Sequence, residues 1–544
     1  MKKFNKIYSV IALSAAFALT GCIDETVPEG QFATEEQVIS SPSALEGAIN
    51  GISSQMSQGY LVYGEQVTEI DMGLPAMMII QTELLGDMYP GGDEPGYDWY
   101  RRYNICGGIG SDTDFSFIPW FTLYKFIKSA NDVIGLVDLD DPNTSDEQRG
   151  YAGVAYACRA YEYYTLTTLY EPVENIYTDV SKVKGLTVPF VLETTTGDDA
   201  KNNPRATHEQ MIEFILSDLD KAEECLKNFT PANKLAPNLA VVYGIRAKVH
   251  LWDEDYANAA KYARMAIDES GATPMSETEL EDPTTAFAKA TSAWMWYLHY
   301  DAENMGNLCN YVGWVSAEAD WGYSSLTKPM IDRSLYDHLS ASDFRKHWFL
   351  DPKKTDYYSY KTVRDADFID EAPDYLSLKF RCLNGDWETY TVGGVSDVPV
   401  MRVEEMYFIE AEAVGASQGV AAGVAKLNSF MQQYRDPSYN YSTDDLRAFQ
   451  LEVLTQMRVE AWGEGWAFPS AKRLKPDVIQ NYDGTNAPDR TFQINCKGIK
   501  PTWTLVIPDT EVQSNVALDG KNNPDPSQAV EGPTPIGEFA PAKF

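Results

Sequence analysis

One long stretch of the chain has the pattern of a single helix, and it restricts the fold more than any other feature. From Ser145 onward the sequence reads SDEQRGYAGVAYACRAYEYYTLTTLY, with no proline and with no glycine after Gly153. Ser145 and Gln148 have the spacing of a capping box, in which each side chain satisfies a backbone amide at a helix start. The stretch therefore predicts a long helix beginning after Ser145, typical of an α-helical scaffold.

Helical spacing recurs in several other parts of the chain. Apolar residues return every three or four positions, or small alanines permit close helix approach, over 120–137, 209–226, 238–252, 256–267, 401–414, 420–434 and 444–461. Two pairs of neighbours in this set, 238–252 with 256–267 and 401–414 with 420–434, are separated by only a few residues, and each pair predicts a helical hairpin. The expected fold class is mainly α, a tetratricopeptide-like helical-hairpin scaffold with long irregular loops and little β structure, although the strict repeat signature is absent.

Three segments between the predicted helices have a different composition. Segment A (87–103) and segment B (293–325) are rich in Gly, Trp and Tyr and follow no single helical period. Segment C (357–386) is mixed and charged, with a short strand predicted over 377–382. We interpret all three as irregular surface segments, except that the continuous apolar run over 294–300 is expected to lie in the core.

The N-terminus predicts export and lipidation. Lysines precede an apolar stretch over 7–19, which is too short to span a bilayer and is typical of a secretory leader. The stretch ends in Leu19-Thr20-Gly21-Cys22, which resembles the lipobox of bacterial lipoproteins, where the cysteine is acylated. We therefore expect residues 1–21 to be removed and Cys22 to carry the lipid; the alternative is an ordinary leader with an incidental cysteine.

The charge of the chain excludes some partners. The net charge of −36, from 80 acidic and 44 basic side chains, would repel nucleic acid and anionic lipid. The cysteines beyond Cys22 form no C-x-x-C pair, and neither they nor the five histidines show metal-ligand spacing. The sequence therefore predicts no nucleic-acid partner, no metal and no cofactor.

The motif EAWGEGWAF at 460–468 raises the question of glycosidase chemistry. Such enzymes place two carboxyl groups on opposite sides of a bond, about 5 to 9.5 Å apart. Glu460 and Glu464 are four residues apart, so on a helix they share one face and stand side by side. We interpret the pair as a structural anchor at a helix end, with Arg458, Lys472 and Arg473 as the nearest candidate cations. No G-x-S-x-G, H-E-x-x-H or phosphate-binding loop occurs, so no catalytic residue is predicted.

Segments A and B carry the candidate ligand-binding residues. A sugar presents C–H groups on one ring face and hydroxyl groups around its rim, so a binding site needs exposed flat rings beside polar side chains. The residues predicted to contact a ligand are Asp87, Tyr97, Trp99, Tyr100, Trp314, Trp321 and Tyr323. The alternative for each ring is a place in the core.

Several motifs, in order along the chain, resemble the SusD/RagB family of outer-membrane nutrient-binding lipoproteins. They are VMRVEE at 400–405 continuing to EAEA at 410–413, AKLN at 425–428, RVE at 458–460 with EG at 464–465, and VIP at 506–508. The resemblance extends from the lipobox to the last of these motifs. It departs from the family at Ala467 and Ser470, where arginine and aspartate are usual.

The resemblance implies an organisation and a function. It implies a leader over 1–21, an N-terminal SusD-like helical region over 22–270 and a C-terminal RagB/SusD region over 271–544, packed as one unit. The implied function is capture of oligosaccharides or polysaccharides at the cell surface, without catalysis, and delivery to a SusC-like TonB-dependent outer-membrane transporter. Asp24 and Glu25 resemble a surface-export signal, with a plain linker as the alternative. A peptide-binding member of the family, a glycoside hydrolase and a purely structural surface protein are the rival functions.

Overall fold

The computed structural model describes residues 42–65, 68–92, 99–303, 305–306, 308, 310–354 and 362–526. The predicted leader, Cys22, Asp24 and Glu25 lie outside the described residues. Helices dominate the rest, so the predicted mainly α fold with little β structure is confirmed. No helix in the described part is both long enough and apolar enough to cross a membrane.

The α-helices are numbered here in chain order. In the described ranges, α1 to α19 are Pro42–Met56, Leu74–Leu85, Arg101–Ile105, Asp114–Leu136, Asp146–Tyr170, Gly197–Ala200, His208–Leu226, Leu239–Trp252, Tyr256–Ser270, Glu277–Leu280, Val312–Val315, Arg333–His338, Ala366–Glu371, Tyr390–Gly393, Val403–Gln418, Val420–Tyr434, Leu446–Glu460, Phe468–Leu474 and Asp509–Ser514. The strands β1 to β8 are Met88–Gly91, Leu186–Pro189, Arg205–Thr207, Trp294–His299, Lys328–Ile331, Asp397–Arg402, Val478–Ile479 and Asn495–Cys496.

The long helix α5 is the centre of the N-terminal helices. It starts with the predicted capping box between Ser145 and Gln148 and packs between α4 and α7. Helix α4 starts at Asp114 and runs through Pro119, so the predicted start at Trp120 is wrong. Proline usually breaks a helix interior, but here the helix continues through Pro119, which is buried against the core.

Two helical hairpins join the halves of the chain. Helix α8 packs on α9, α15 packs on α16, and α9 also packs against α15. A Cβ atom at Gly423 would lie 2.5 Å from the Gly415 Cα, so the α15–α16 contact needs glycine at this crossing. The division at 270/271 stays a prediction.

The strands form four two-stranded antiparallel sheets in the part of the chain that the structure describes. The core prediction for 294–300 is confirmed, because β4 is largely buried and pairs with β6. Met401 and Arg402 belong to β6. The helix predicted over 401–414 therefore begins at Val403, two residues later than predicted. The predicted strand over 377–382 is wrong, since Ser377 makes only an isolated bridge to Phe349.

The EAWGEGWAF motif forms a turn packed inside the protein. Helix α17 ends at Glu460, and Gly463 and Gly465 adopt φ of +81° and +79°. A Cβ atom at Gly463 would lie 2.4 Å from the Phe380 ring, and one at Gly465 would lie 2.5 Å from the Met78 carbonyl oxygen. Both the left-handed backbone and the lack of space therefore require glycine.

The two glutamates of this motif are ion-paired and buried, as the structural interpretation predicted. Arg435 donates to Glu460 from Nε and Nη2, both at 2.8 Å. Arg402 Nε lies 2.7 Å from a Glu464 carboxylate oxygen, and Lys379 Nζ lies 2.6 Å from the other. All five side chains are at most 3% exposed.

The cations predicted to neutralise this pair are the wrong ones. Arg458 pairs with Asp87, Arg473 pairs with Glu412, and Lys472 Nζ donates to the Thr168 carbonyl. The actual partners come from strand β6, the end of α16 and the loop before residue 380. Sequence neighbours therefore do not identify the partners, because the fold supplies them from distant parts of the chain.

Candidate ligand-binding cleft

Segments A, B and C meet at an open cleft of about 620 Å³. Segment A contributes Gly92, and segment B contributes Asp320 and Ser325. Segment C contributes a wall that includes Arg364 and Phe368. Cavities that hold small molecules in proteins span roughly 300 to 1,000 Å³, so the cleft has the size of a ligand site.

Backbone pairing holds the three segments together around the cleft. Gly91 of β1 faces Lys328 of β5 in an antiparallel pair, which joins segment A to the strand that follows segment B. The Asp320 amide donates to the Trp387 carbonyl at 2.8 Å and joins segment B to the residue that directly follows segment C. These contacts fix the walls through main-chain atoms rather than through side chains alone.

Glu318 anchors one wall from beneath. This fully buried carboxylate accepts hydrogen bonds from Arg381 Nη1 at 2.9 Å, from the Val363 amide at 3.3 Å and from the Thr362 hydroxyl. The Glu318 carbonyl oxygen accepts a hydrogen bond from Arg364 Nη1 at 2.7 Å. Glu318 therefore sets the position of Arg364 in the cleft wall.

Arg364 lies between two aromatic rings. Its guanidinium carbon is 3.9 Å from the centroid of the Trp387 ring and 4.5 Å from that of Phe368, and both rings are half-buried. Lys328 Nζ lies 5.6 Å from the Phe368 ring centroid. Burial, with a contribution from Arg364, lowers the pKa of Lys328 to about 8. These distances are typical of cation–π contacts, which hold the cations in place.

The chemistry of the cleft is mixed. Phe368 and the 43% exposed Leu326 offer apolar surface. Asp320, Asp367 and Glu371 are exposed carboxylates on its rim. Apolar contact surface beside convergent hydrogen-bonding groups suits a polyhydroxylated ligand better than a purely apolar one.

Of the predicted site residues in segment A, Asp87 has a different role from the one expected. It is 1% exposed, and its carboxylate accepts from Arg458 Nε at 3.0 Å. Its carbonyl oxygen accepts from Trp462 Nε1 at 2.9 Å. Asp87 thus ties segment A to the EAWGEGWAF turn. Tyr97 lies outside the described residues.

Three predicted rings come together, but as a buried cluster. The Tyr100 and Trp314 ring centroids are 4.7 Å apart at 84°, and those of Trp314 and Tyr323 are 4.7 Å apart at 22°. None of the three is more than 6% exposed. Their expected exposure is therefore wrong, because each ring occupies a face of another.

Trp321 and Trp99 lie apart from that cluster. Trp321 is 4% exposed and belongs to a small apolar group with Cys382, against which Trp387 packs. Its expected exposure is also wrong. Trp99 is half-buried, with the Arg102 guanidinium 5.8 Å from its ring centroid. Direct ligand contact by any of these residues stays a prediction.

Sequence reasoning missed the residues that do line the cleft. Arg364 and Phe368 lie in segment C, for which the sequence indicates only a charged surface segment. Trp387, which packs against Arg364 but does not itself line the cleft, directly follows segment C. One signal was available: Phe368 is a lone aromatic residue in the run RDADFIDE. An isolated ring among charges at a helix start has few local partners and is a candidate for a surface role.

Comparison with known proteins now identifies the fold. The family model SusD-like_3, described as starch-binding associating with outer membrane, matches residues 97–251. SusD-like protein P2 of Formosa agariphila is 24% identical over 455 residues, which cover 80% of this chain and 81% of that protein. A SusD-like carbohydrate binding protein of Bacteroides vulgatus superposes with a TM-score of 0.68 at 18% identity, over 89% of this chain and 98% of its own.

The chain is similar to SusD-like proteins in sequence over residues 97–251 and in fold over most of its length. The chain is also similar in structure to surface glycan-binding protein A of Bacteroides thetaiotaomicron, solved in complex with laminarihexaose. It matches with a TM-score of 0.62 at 14% identity and covers 88% of this chain and 99% of its own. The comparisons thereby confirm the resemblance to SusD-like proteins and the fold that it implies.

Proposed function

We propose that this SusD-like protein binds a glycan in the cleft between segments A, B and C. The observation that carries the proposal is the wall in which Arg364 lies between Phe368 and Trp387, beside exposed carboxylates. A half-buried ring supplies a face for sugar C–H groups, and the charged groups can bond hydroxyls. The laminarihexaose complex of a relative with this fold supports the same ligand class.

The proposal includes no bond cleavage. A glycosidase would need two carboxyl groups that reach a substrate from opposite sides. Glu460 and Glu464 are instead 0% and 3% exposed, and both are paired with arginine. Release of reducing ends by the purified protein would favour the hydrolase alternative. A peptide-binding function would be favoured if peptides, and no polysaccharide, bound to the intact protein.

Phe368→Ala should weaken glycan binding about tenfold or more, because it removes the apolar face of the cleft wall and one support of Arg364. Affinity electrophoresis against a panel of neutral polysaccharides would measure this change. Tyr63→Ala is the matched control, since Tyr63 is a 38% exposed ring that does not line the cleft. Equal retardation of both variants and the wild type would contradict the assignment of the cleft.

The same assay can test Trp99 separately from the buried rings. We propose that Trp99 also contacts the ligand, as the half-buried member of the predicted set. Trp314, Trp321 and Tyr323 then support segment B beneath the surface. Loss of binding in Trp99→Ala with a normal melting temperature would favour direct contact.

We further propose that the protein is a lipid-anchored component of the outer-membrane surface that passes glycans to a SusC-like TonB-dependent transporter. The description of the matching family as associating with outer membrane supports the location, and the lipobox-like sequence before Cys22 supports the anchor. The regions 22–270 and 271–544 act as one unit in this proposal.

Cys22→Ala should release the protein from the membrane fraction, because the thiol that accepts the lipid is lost and stable anchoring depends on the acyl chains. Fractionation and fatty-acid labelling of cells would measure this release. Cys158→Ala is the control, since Cys158 is a buried cysteine and its loss leaves the lipobox intact. Continued labelling of the Cys22 variant would disprove lipidation at this residue.

A further inference from the structure

Outside the cleft, the fold brings together three side chains that can bind a metal ion. One ligand atom from each of Glu277, Glu281 and His347 lies within 4.8 Å of the others. The two glutamates belong to the short helix α10 and its C-cap, whereas His347 lies in the 3-10 turn Phe344–Trp348. None of the three lines the cleft, and the sequence shows no metal-ligand spacing because the histidine is distant in the chain.

The local structure holds these groups in place. Ser276 and Glu279 form a capping box that fixes the turn carrying Glu277. On the other side, the turn that carries His347 is held by two buried side chains, since Trp348 is 1% exposed and Arg345 is 0% exposed. The two glutamates are four residues apart and therefore project from one side of the turn.

One residue of the cluster is buried and the other two are open to solvent, so an ion can reach the cluster. Glu281 is 6% exposed, so its carboxylate is fixed, and its Oε1 lies 2.7 Å from His347 Nδ1. The His347 side chain is 40% exposed, and Glu277 is exposed. An ion can therefore approach from solvent and meet a carboxylate that is already in position.

We propose that Glu277, Glu281 and His347 bind a divalent transition-metal ion of the zinc class. Imidazole nitrogen and carboxylate oxygen bind zinc at about 2.0 to 2.2 Å, so two ligand atoms on one ion are at most about 4 Å apart. Rotation of the exposed Glu277 and His347 side chains brings the three groups within that limit. Calcium takes six to eight oxygen ligands, so a three-residue site with an imidazole favours a transition metal.

Binding would connect the start of the C-terminal region to the turn at 344–348. It displaces any proton on the imidazole nitrogen, because a metal-bound histidine must be neutral there. The ion also stabilises the folded chain by mass action, since the unfolded chain does not hold the three ligands together. The site is independent of the proposed glycan function.

Isothermal titration of the intact protein with zinc chloride tests the proposal. We expect one saturable site, and we expect Glu277→Gln and His347→Gln each to weaken it by at least about tenfold. The matched control is His299→Gln, because His299 is 48% exposed and lies 2.8 Å from a single carboxylate, that of Asp397. Its loss should leave zinc affinity unchanged.

Three results would overturn the assignment: no saturable zinc binding, equal affinity in the wild type and all three variants, or calcium binding as tight as zinc binding. Thermal melting without metal checks that each variant folds. Since Glu277 is exposed, Glu277→Gln keeps the test valid even if the histidine variant loses stability. A zinc-dependent rise in melting temperature for the wild type and for His299→Gln, absent from the other two variants, would support the site.

Discussion

Glu460→Gln should lower the free energy of unfolding by about 3–5 kcal/mol, the usual effect of removing one member of a buried ion pair. Glu460 is fully buried and accepts hydrogen bonds from Arg435, Arg402 and Arg345. Glutamine has nearly the same shape but no charge, so three buried guanidinium groups lose a common counter-ion. Urea denaturation at neutral pH measures the loss.

The pH dependence of this effect has a defined sign. The surrounding guanidinium groups, Arg435 above all, outweigh the effect of burial and hold the pKa of Glu460 well below its usual range. A lowered folded pKa contributes stability that is present above the unfolded pKa, near 4.3, and is lost as pH falls through the folded value. The difference in unfolding free energy between the wild type and Glu460→Gln should therefore be complete at neutral pH and should decrease only at acidic pH.

The control for the charge change is Glu388→Gln, because Glu388 is exposed and its side chain stands in solvent. Its free energy of unfolding should stay within about 0.5 kcal/mol of the wild type. If Glu460→Gln also stayed within that range, the buried charges would not hold the turn together, and the structural assignment of the EAWGEGWAF motif would be wrong.

The scaffold was predictable because helix signals are local. The capping box at Ser145 and Gln148 acts through neighbouring residues, and the structure uses it as predicted. Gly463 and Gly465 also act locally, through their left-handed backbone. Ion-pair partners are not local. Arg402 and Arg435 reach Glu460 from 58 and 25 residues away, so no window around the motif contains them.

The cleft was only partly predictable, for a related reason. Local composition located segments A, B and C, and these do meet at the cleft. Composition did not separate rings that pack on each other, such as Trp314 and Tyr323, from rings at the surface, such as Phe368. Exposure is decided by which segments come together, and that depends on the whole fold.

His208 permits a second test of how a partly buried charge contributes to stability, this time at neutral to alkaline pH. Its Nδ1 lies 2.9 Å from Glu171 Oε1 and its Nε2 lies 3.0 Å from Asp253 Oδ1. Both ring nitrogens can donate only in the imidazolium form. The hydrogen bond to Glu171 is the main reason that the pKa of His208 rises to about 9, against the opposing effect of burial.

His208→Gln should therefore cost up to about 3 kcal/mol of unfolding free energy below pH 6.5, and this cost should shrink towards zero as pH rises through about 9. The sign follows because a raised folded pKa gives stability that is complete below the unfolded pKa and is lost above the folded one. Urea denaturation of both proteins between about pH 6 and pH 9.5 measures the difference.

The contribution of His208 is obtained only from the difference in unfolding free energy between the wild type and His208→Gln. Lys472 is buried close to Glu171, and burial lowers its pKa to about 7, so its own contribution grows more favourable with rising pH. That contribution opposes the one from His208 and is shared by both proteins. A constant difference across the range would mean that His208 is neutral in the folded chain. It would then join Glu171 and Asp253 only by ordinary hydrogen bonds, and the charge on the imidazole would contribute nothing to holding α7 in place.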